Sequence, residues 1–210
     1  MYTKYFKRLL DCLLSGIGIL VLLPVWFFIV LAILIDDPGR IFFRQKRIAI
    51  HKKHFNILKF RTMKMSTPHD TPTHMLKNPE QYITRVGAFL RKTSLDELPQ
   101  LFNIFVGQMS IIGPRPALWN QFDLIEERDK YGANDIKPGL TGWAQINGRD
   151  ELNIERKAEL DGEYLRHMSF SFDAKCFIGT IFKVAKSDGV VEGGTGKLPA
   201  QNQHKVSKAE

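Results

Sequence analysis

Between Cys12 and Ile35 the chain runs for 24 residues without a charged side chain. As an α-helix rising about 1.5 Å per residue, this stretch covers roughly 36 Å, enough to cross the hydrocarbon of a bilayer. A cleaved signal peptide is the competing reading, since Lys4, Lys7 and Arg8 form a basic leader. The run is too long for that and no small-x-small cleavage pattern follows it, so it reads as a retained membrane segment. Its flanks are basic on both sides: Lys4, Lys7 and Arg8 before, and Arg40, Arg44, Lys46, Arg47, Lys52 and Lys53 after. Positive flanks stay on the cytoplasmic side, so one straight crossing satisfies only one of the two. Pro24 stands in the middle of the run, where it removes a backbone donor and clashes with the preceding turn, which predicts a bend. A helix that enters and leaves through the same leaflet satisfies both flanks. A single span with a tolerated proline is the other topology, and the residues alone leave both open.

The remainder of the 210 residues is enough for one domain with a real core. The formal charge of +8 points to an anionic partner. Nucleic acid, nucleotide phosphates and an acidic membrane surface all qualify, and charge does not choose among them. Cys12 and Cys176 are far apart and lack metal-site spacing, which argues against a disulfide framework or a zinc site.

Asp36-Asp37-Pro38-Gly39 ends the apolar run with turn chemistry. Ile41 to Phe43 and Phe55 to Phe60 read as two strands of a hairpin separated by a basic stretch. Residues 66–79 hold three prolines, three threonines and two histidines without periodicity, a loop. Ile83, Val86, Phe89 and Leu90, then Leu98, Leu101, Phe102 and Phe105, recur at helical spacing. Pro116 suits the first turn of a helix running toward Tyr131, and Lys137 to Arg149 reads as a glycine-rich loop. A charged helix is predicted from Ile154 to His167, and a last one from Phe172 to Val184 whose pattern suits a membrane interface. From Asp188 the chain is polar and glycine-rich, which predicts a disordered tail. The fold class is α/β, mainly helical, divided into 1–37 (membrane helix), 38–187 (domain) and 188–210 (tail).

Four constellations could carry chemistry. In Arg91-Lys92-Thr93-Ser94-Leu95-Asp96-Glu97-Leu98-Pro99, Ser94 and Glu97 have the spacing of a capping box, but Pro99 fits better with Asp96 as the helix cap. A carboxylate at that positive helix end stays ionised, attracts phosphate and could attack phosphorus, and two adjacent carboxylates could share a divalent cation. The residues alone favour an acidic cap without catalytic duty. Gly113-Pro114-Arg115-Pro116 fixes the backbone around one arginine, whose fork of donors matches phosphate. In isolation a stiffened turn explains it. In the stretch from Pro138 to Arg149, Trp143 offers a stacking face and Gln145, Asn147 and Arg149 offer hydrogen bonds, though a packed loop explains it equally. Lys59 and Arg61 put two cations on one strand face, which suits a diphosphate or simply solvent. His69 and His74 lack a third ligand, which argues against a metal there. Gly193 to Lys197 fails the phosphate-loop pattern, because Val191 stands where a glycine is required and Leu198 where a hydroxyl is.

Taken in order, these blocks resemble the small bacterial polyprenyl-phosphate phosphoglycosyl transferases, the initiating sugar transferases. The resemblance rests on Phe43-Arg44-Gln45-Lys46-Arg47, Lys59-Phe60-Arg61-Thr62-Met63, Ser94 through Asn103, Met109 through Pro116 and Pro138 through Arg149, with the basic leader, Asp11 and the proline-bearing apolar run before them. It implies a two-step transfer in which Asp96 attacks the sugar-side phosphate of a UDP-sugar, releases UMP and passes the phosphosugar to polyprenyl phosphate. It also implies Asp96 and Glu97 as the essential acidic pair, Mg2+ near Asp96, help from Arg91, and a re-entrant helix bent at Pro24. Arg115, Lys59, Arg61, Gln145 and Arg149 are the expected substrate-binding residues. The domain would sit on membrane phospholipids at the cytoplasmic face of the bacterial inner membrane, with amphipathic helices in the interface and no nucleic acid partner; assembly of several copies is left open. Leu23 departs from the family pattern, which has a serine before this proline. A membrane-tethered basic module without chemistry is the alternative from a different functional class.

Overall fold

The structure is a computed structural model and describes residues 2–67, 79–148 and 151–186. The histidine loop, Arg149 and the glycine-rich tail lie outside the described residues. After a π-helical turn at Tyr2–Phe6, helix α1 (Lys7–Asp36) takes in the whole apolar run, with Pro24 inside it. At 30 residues it is long and apolar enough to cross a membrane. Strands β1 (Phe42–Ile48) and β2 (His54–Phe60) form an antiparallel hairpin in the register Phe42 to Phe60 through Ile48 to His54. The first strand is longer than the sequence suggests. Its basic residues belong to the strand itself, Arg44 and Lys46 on the exposed side and Arg47 buried. Helices α2 (Arg85–Thr93) and α3 (Gln100–Phe105) follow, then β3 (Ser110–Ile112), α4 (Phe122–Asp129), β4 (Gly139–Thr141), α5 (Trp143–Ile146), α6 (Ile154–His167) and α7 (Phe170–Lys186).

One stripe of α1 packs on the domain and the rest of its surface is exposed and apolar. Trp26, Ile29 and Ile33 join Phe55, Ile57, Phe60, Leu90, Leu101 and Ile104 in the main core. The Trp26 ring meets Phe60 edge-on at 5.9 Å and Phe102 at 5.2 Å. Phe27, Phe28, Leu20, Val21 and Ile35 face outward, as do Phe105 and Val106 of the α3 end and Phe177, Ile181 and Phe182 of α7. So much uncovered apolar area is far more than an ordinary soluble surface carries.

Both ends of α1 are tied to the same body. At the start, Arg8 donates to the carbonyls of Ile104 and Phe105 at 2.7 Å each, satisfying the free end of α3. Asp11 accepts from the Ile111 amide at 2.9 Å. Lys7 and Tyr2 both donate to Asp173 Oδ2 at 2.6 Å, and the buried Tyr164 hydroxyl donates to Oδ1 at 2.7 Å. At the far end, Asp36 accepts from the Val86 amide at 2.8 Å, in the first turn of α2. Asp37 accepts from the Met65 amide at 2.8 Å and from the Arg61 guanidinium.

Two expectations fail here for identifiable reasons. No helix starts at Pro116, because this segment is extended against β1: Arg47 takes the Pro116 carbonyl at 2.9 Å and the Ile48 amide takes that of Ala117 at 3.0 Å. The stretch from Lys137 is not a plain loop. Its Gly139–Thr141 pairs parallel with Ser110–Ile112, and α5 follows directly.

Candidate active site

The parallel pair brings two of the sequence blocks into backbone contact. The Gly113 amide donates to the Thr141 carbonyl and the Gly139 amide to that of Pro114, both at 2.8 Å. A Cβ on Gly139 would lie 2.1 Å from the Gly113 nitrogen, and one on Gly113 would lie 2.6 Å from the Lys137 carbonyl oxygen. Only glycine permits this approach. The tight seam fixes the start of the Pro114-Arg115-Pro116 segment and aims Arg115 across the strand ends.

Arg115 meets the acidic pair there. Its two terminal nitrogens reach Glu97 at 2.9 and 3.4 Å, and Lys59 Nζ reaches the same carboxylate at 2.9 Å. Lys59 points inward because it shares strand parity with the buried Phe55 and Ile57 on β2. Asp96 and Glu97 themselves lie on a 3-10 turn, Leu95–Glu97, and both are buried. Asp96 is therefore not a helix cap. Ser94 takes a left-handed conformation (φ 57°) that ends α2, the chain turns at once into the 3-10 segment, and α3 begins after Pro99. Ser94 makes no capping bond with its side chain, so the capping box that Pro99 argues against is indeed not formed.

Burial pushes the Asp96 carboxyl up to about 6, opposed by Lys59, reinforced by the Glu97 carboxylate and opposed again by Arg91 and Arg115. A desolvated carboxylate ringed by three cations is poised near neutrality. Arg91, in the last turn of α2, is steered by Thr62, whose hydroxyl accepts from its Nε at 2.8 Å. Thr62 belongs to a block singled out by sequence, yet its positioning role was not legible there, because only the fold shows that β2 ends beside α2.

Not every expected residue joins the cluster. The Arg61 guanidinium is engaged with the Asp37 side chain and backbone at the end of α1, so its place is structural. Strand parity with Lys59 misleads here, since β2 has ended before Arg61. The Trp143 ring is engaged within the fold: Phe172 packs on it at 4.8 Å and Lys175 lies 4.6 Å from its ring centre. Asn147 donates back to the Trp143 carbonyl at 2.8 Å. Gln145 is buried beside Arg115, with Nε2 3.4 Å from the Gly113 carbonyl oxygen.

A cleft of about 490 Å³ opens beside Glu97 and Arg115. Leu95, Leu98, Ile111, Leu140 and Ile146 line it, and Phe177, Ile181, Val184 and Lys183 of α7 form its outer wall. Polar groups at one end and apolar walls leading to the exposed apolar face suit an amphiphile with an anionic head. As for a metal, the described residues hold no group of three or more potential ligands. Two carboxylates still fit Mg2+, which is usually bound by one or two carboxylates together with substrate phosphates and waters.

The family model described as bacterial sugar transferase matches residues 2–187. A UDP-glucose:undecaprenyl-phosphate glucose-1-phosphate transferase of Escherichia coli K12 is 40% identical over 188 residues, covering 86% of this chain and 40% of that protein. The uncharacterized sugar transferase EpsL of Bacillus subtilis 168 is 40% identical over 187 residues, covering 88% and 89%. The exopolysaccharide production protein ExoY of Rhizobium meliloti 1021 is 33% identical, covering 87% of each chain. The chain thus spans about 40% of the length of the first of these relatives and nearly all of the other two. With the match running from the start of the apolar helix to the end of α7, the chain belongs to the bacterial sugar transferase family.

Proposed function

We propose that this chain transfers a sugar 1-phosphate from a UDP-sugar to polyprenyl phosphate, with Asp96 as the nucleophile. The observation that carries the reading is the buried Asp96 carboxylate among Lys59, Arg91 and Arg115, at the polar end of an apolar cleft. In the first step an Asp96 oxygen bonds to the sugar-side phosphorus, the bond to the bridging oxygen breaks, and UMP leaves with the electron pair. In the second, an oxygen of the lipid phosphate attacks the same phosphorus and the Asp96 carboxylate is released. Glu97 holds Lys59 and Arg115 in place around the diphosphate. Mg2+, held by Asp96 and the donor's phosphates, would supply charge neutralisation of the diphosphate. The relative from E. coli is named for this chemistry with glucose, which supports the reading. Turnover of a panel of UDP-sugars with undecaprenyl phosphate tests it. UMP release that requires Mg2+ is expected from at least one sugar, whereas a membrane-tethered binding module releases none.

Arg115→Lys is expected to lower kcat/KM for the UDP-sugar by about 1.5–3 kcal/mol, the size of a charged hydrogen bond, because lysine loses the fork that spans Glu97 and phosphate. Unchanged steady-state constants would leave Arg115 a turn residue.

The membrane helix is proposed to be re-entrant, and contacts of one domain with both ends of α1 support that form. Lys7, Arg8 and Asp11 touch the same body as Asp36 and Asp37, so a perpendicular span would have to pull one set away. Pro24 removes the donor for the Leu20 carbonyl, and Leu23 brings no hydroxyl to it; Ser15 bonds to Asp11 and Cys12 one turn back. Pro24→Ala favours a straight helix by about 3 kcal/mol. The expected outcome is mixed topology with lower activity, read by impermeant thiol labelling of Thr3→Cys in intact cells lacking Cys12 and Cys176. Labelling in the unmutated Pro24 background would overturn the re-entrant form.

A further inference from the structure

Gln45 and Arg47 of β1 stand outside the acidic cluster, yet they reach the segment that carries Arg115. Both share one face of the strand, and the antiparallel register sets them opposite Ile57 and Phe55, on the inward side that also holds Lys59. Arg47 is buried there. Its terminal nitrogens donate to the Pro116 carbonyl at 2.9 Å and to Gln45 Oε1 at 2.8 Å. The Ile48 amide takes the next carbonyl, that of Ala117, at 3.0 Å, and from the other side the Gly139 amide holds the Pro114 carbonyl at 2.8 Å. Arg115 therefore lies between two carbonyls that distant parts of the chain have claimed. The proline after it keeps its own backbone extended. Among these restraints Arg47 is the one that acts through a side chain. A guanidinium is costly to bury and an apolar residue would fill the same space, so its place beneath this segment calls for a role that packing does not meet.

We infer that Arg47 is a positioning residue of the transfer reaction, kept in line by Gln45: by gripping the Pro116 carbonyl it sets the angle from which the Arg115 fork reaches Glu97 and the diphosphate. This rests on the role proposed above for Arg115. The fork meets Glu97 at 2.9 and 3.4 Å, and a bidentate contact of this kind depends on direction as well as distance. A shift of about 1 Å in such a group can cost about a hundredfold in rate. One face of the hairpin thus supplies the first of Glu97's cations directly, as Lys59, and fixes the second from behind, through Arg47.

Arg47→Met removes the grip and keeps apolar bulk in its place. It is expected to lower kcat/KM for the UDP-sugar about tenfold, the low end for a hydrogen bond to a charged group. In the Arg115→Lys background, where a point charge on a flexible stem replaces the fork, the same change is expected to cost no more than about twofold. Arg47→Lys keeps the charge but cannot span Pro116 and Gln45 together, and should recover part of the loss. Equal losses in the two backgrounds would make Arg47 a structural residue only, and wild-type kcat/KM in folded Arg47→Met would also overturn the inference. Should Arg47→Met fail to fold, Gln45→Leu at a half-buried position leaves Arg47 in place and frees part of its fork. A loss of about threefold, again confined to the Arg115 background, is then expected, and no loss would overturn the inference. Nuclear magnetic relaxation of the Arg115 Nε–H group in the full-length protein, without substrates, separates this inference from the reaction it rests on. Greater motion of that group in the variant, in a chain whose wild type transfers no phosphosugar, would remove the reaction and keep the grip. Equal order of Arg115 in wild type and variant would remove the grip whatever the turnover.

Discussion

Asp96→Asn is expected to abolish transfer, by a factor of a thousand or more on the scale typical of lost nucleophiles, and to make the protein more stable at the same time. The two effects share one cause. Burial raises the Asp96 carboxyl to about 6 in the folded protein, against about 3.9 in an unfolded chain. Folding therefore favours the protonated form: that contribution is fully present below about pH 4 and is lost as the pH rises through 6. At pH 7.5 the folded protein carries an ionised, desolvated carboxylate at a cost on the order of 2–3 kcal/mol, which the neutral amide does not bear. Denaturant unfolding should show Asp96→Asn more stable than wild type at pH 7.5, with the difference vanishing near pH 4. The same ionisation shapes activity, since only the carboxylate attacks phosphorus: kcat/KM for the UDP-sugar should fall as the pH drops through about 6. Glu97→Gln is expected to lower turnover strongly while leaving some covalent intermediate, because Glu97 orients Lys59 and Arg115 and forms no bond to phosphorus. A variant Asp96→Asn with wild-type turnover would end this assignment.

The second large effect is expected at Asp173, far from the carboxylate pair in the chain. One carboxylate receives Tyr2, Lys7 and Tyr164, and so joins the start of α1 to α6 and α7. The Lys7 and Asp173 side chains are only 12% and 10% exposed, so removing the acid strands a largely buried ammonium and two hydroxyls. Asp173→Ala should cost about 3–5 kcal/mol, the range for breaking a buried ion pair by deleting one partner. In a chain of this size that lowers Tm by about 10 °C. It should also expose the N-terminal residues to proteolysis before the domain unfolds, since the polar tie from Tyr2 and Lys7 to α7 is then lost and the hydrogen bonds of Arg8 and Asp11 remain. A Tm within a degree of wild type would show that the network contributes nothing to docking the helix.

The parts of this fold that sequence revealed are those fixed by local chemistry. Helix α6 spans Ile154–His167, the range its periodicity indicates, because Asn153 caps it by accepting from the Arg156 amide at 2.9 Å. The hairpin is visible in its apolar residues, but Arg44, Lys46 and Arg47 obscure the alternation and so hide how far β1 extends. What stayed hidden depends on partners distant in the chain. The seam between Gly113 and Gly139 joins two segments that each look like an irregular turn alone. Pro116 has the chemistry of a helix start, yet pairing with β1 claims that backbone first. At the site, the fold brings Asp96, Glu97, Lys59, Arg91 and Arg115 together, while Arg61 is engaged by Asp37. No local rule distinguishes Lys59 from Arg61. Only the ending of β2 and the proximity of Asp37 separate the cation that reaches Glu97 from the one that secures the membrane helix.

The covalent step is tested most directly by a single turnover without lipid. Purified protein, Mg2+ and a UDP-sugar carrying label in the sugar-side phosphate should release UMP in an amount matching the enzyme. Mass spectrometry should then find the phosphosugar on the peptide containing Asp96, and addition of undecaprenyl phosphate should discharge it. UMP release that occurs only when the lipid is present, with no label retained on the chain, would contradict Asp96 as the nucleophile and leave direct transfer between the two substrates.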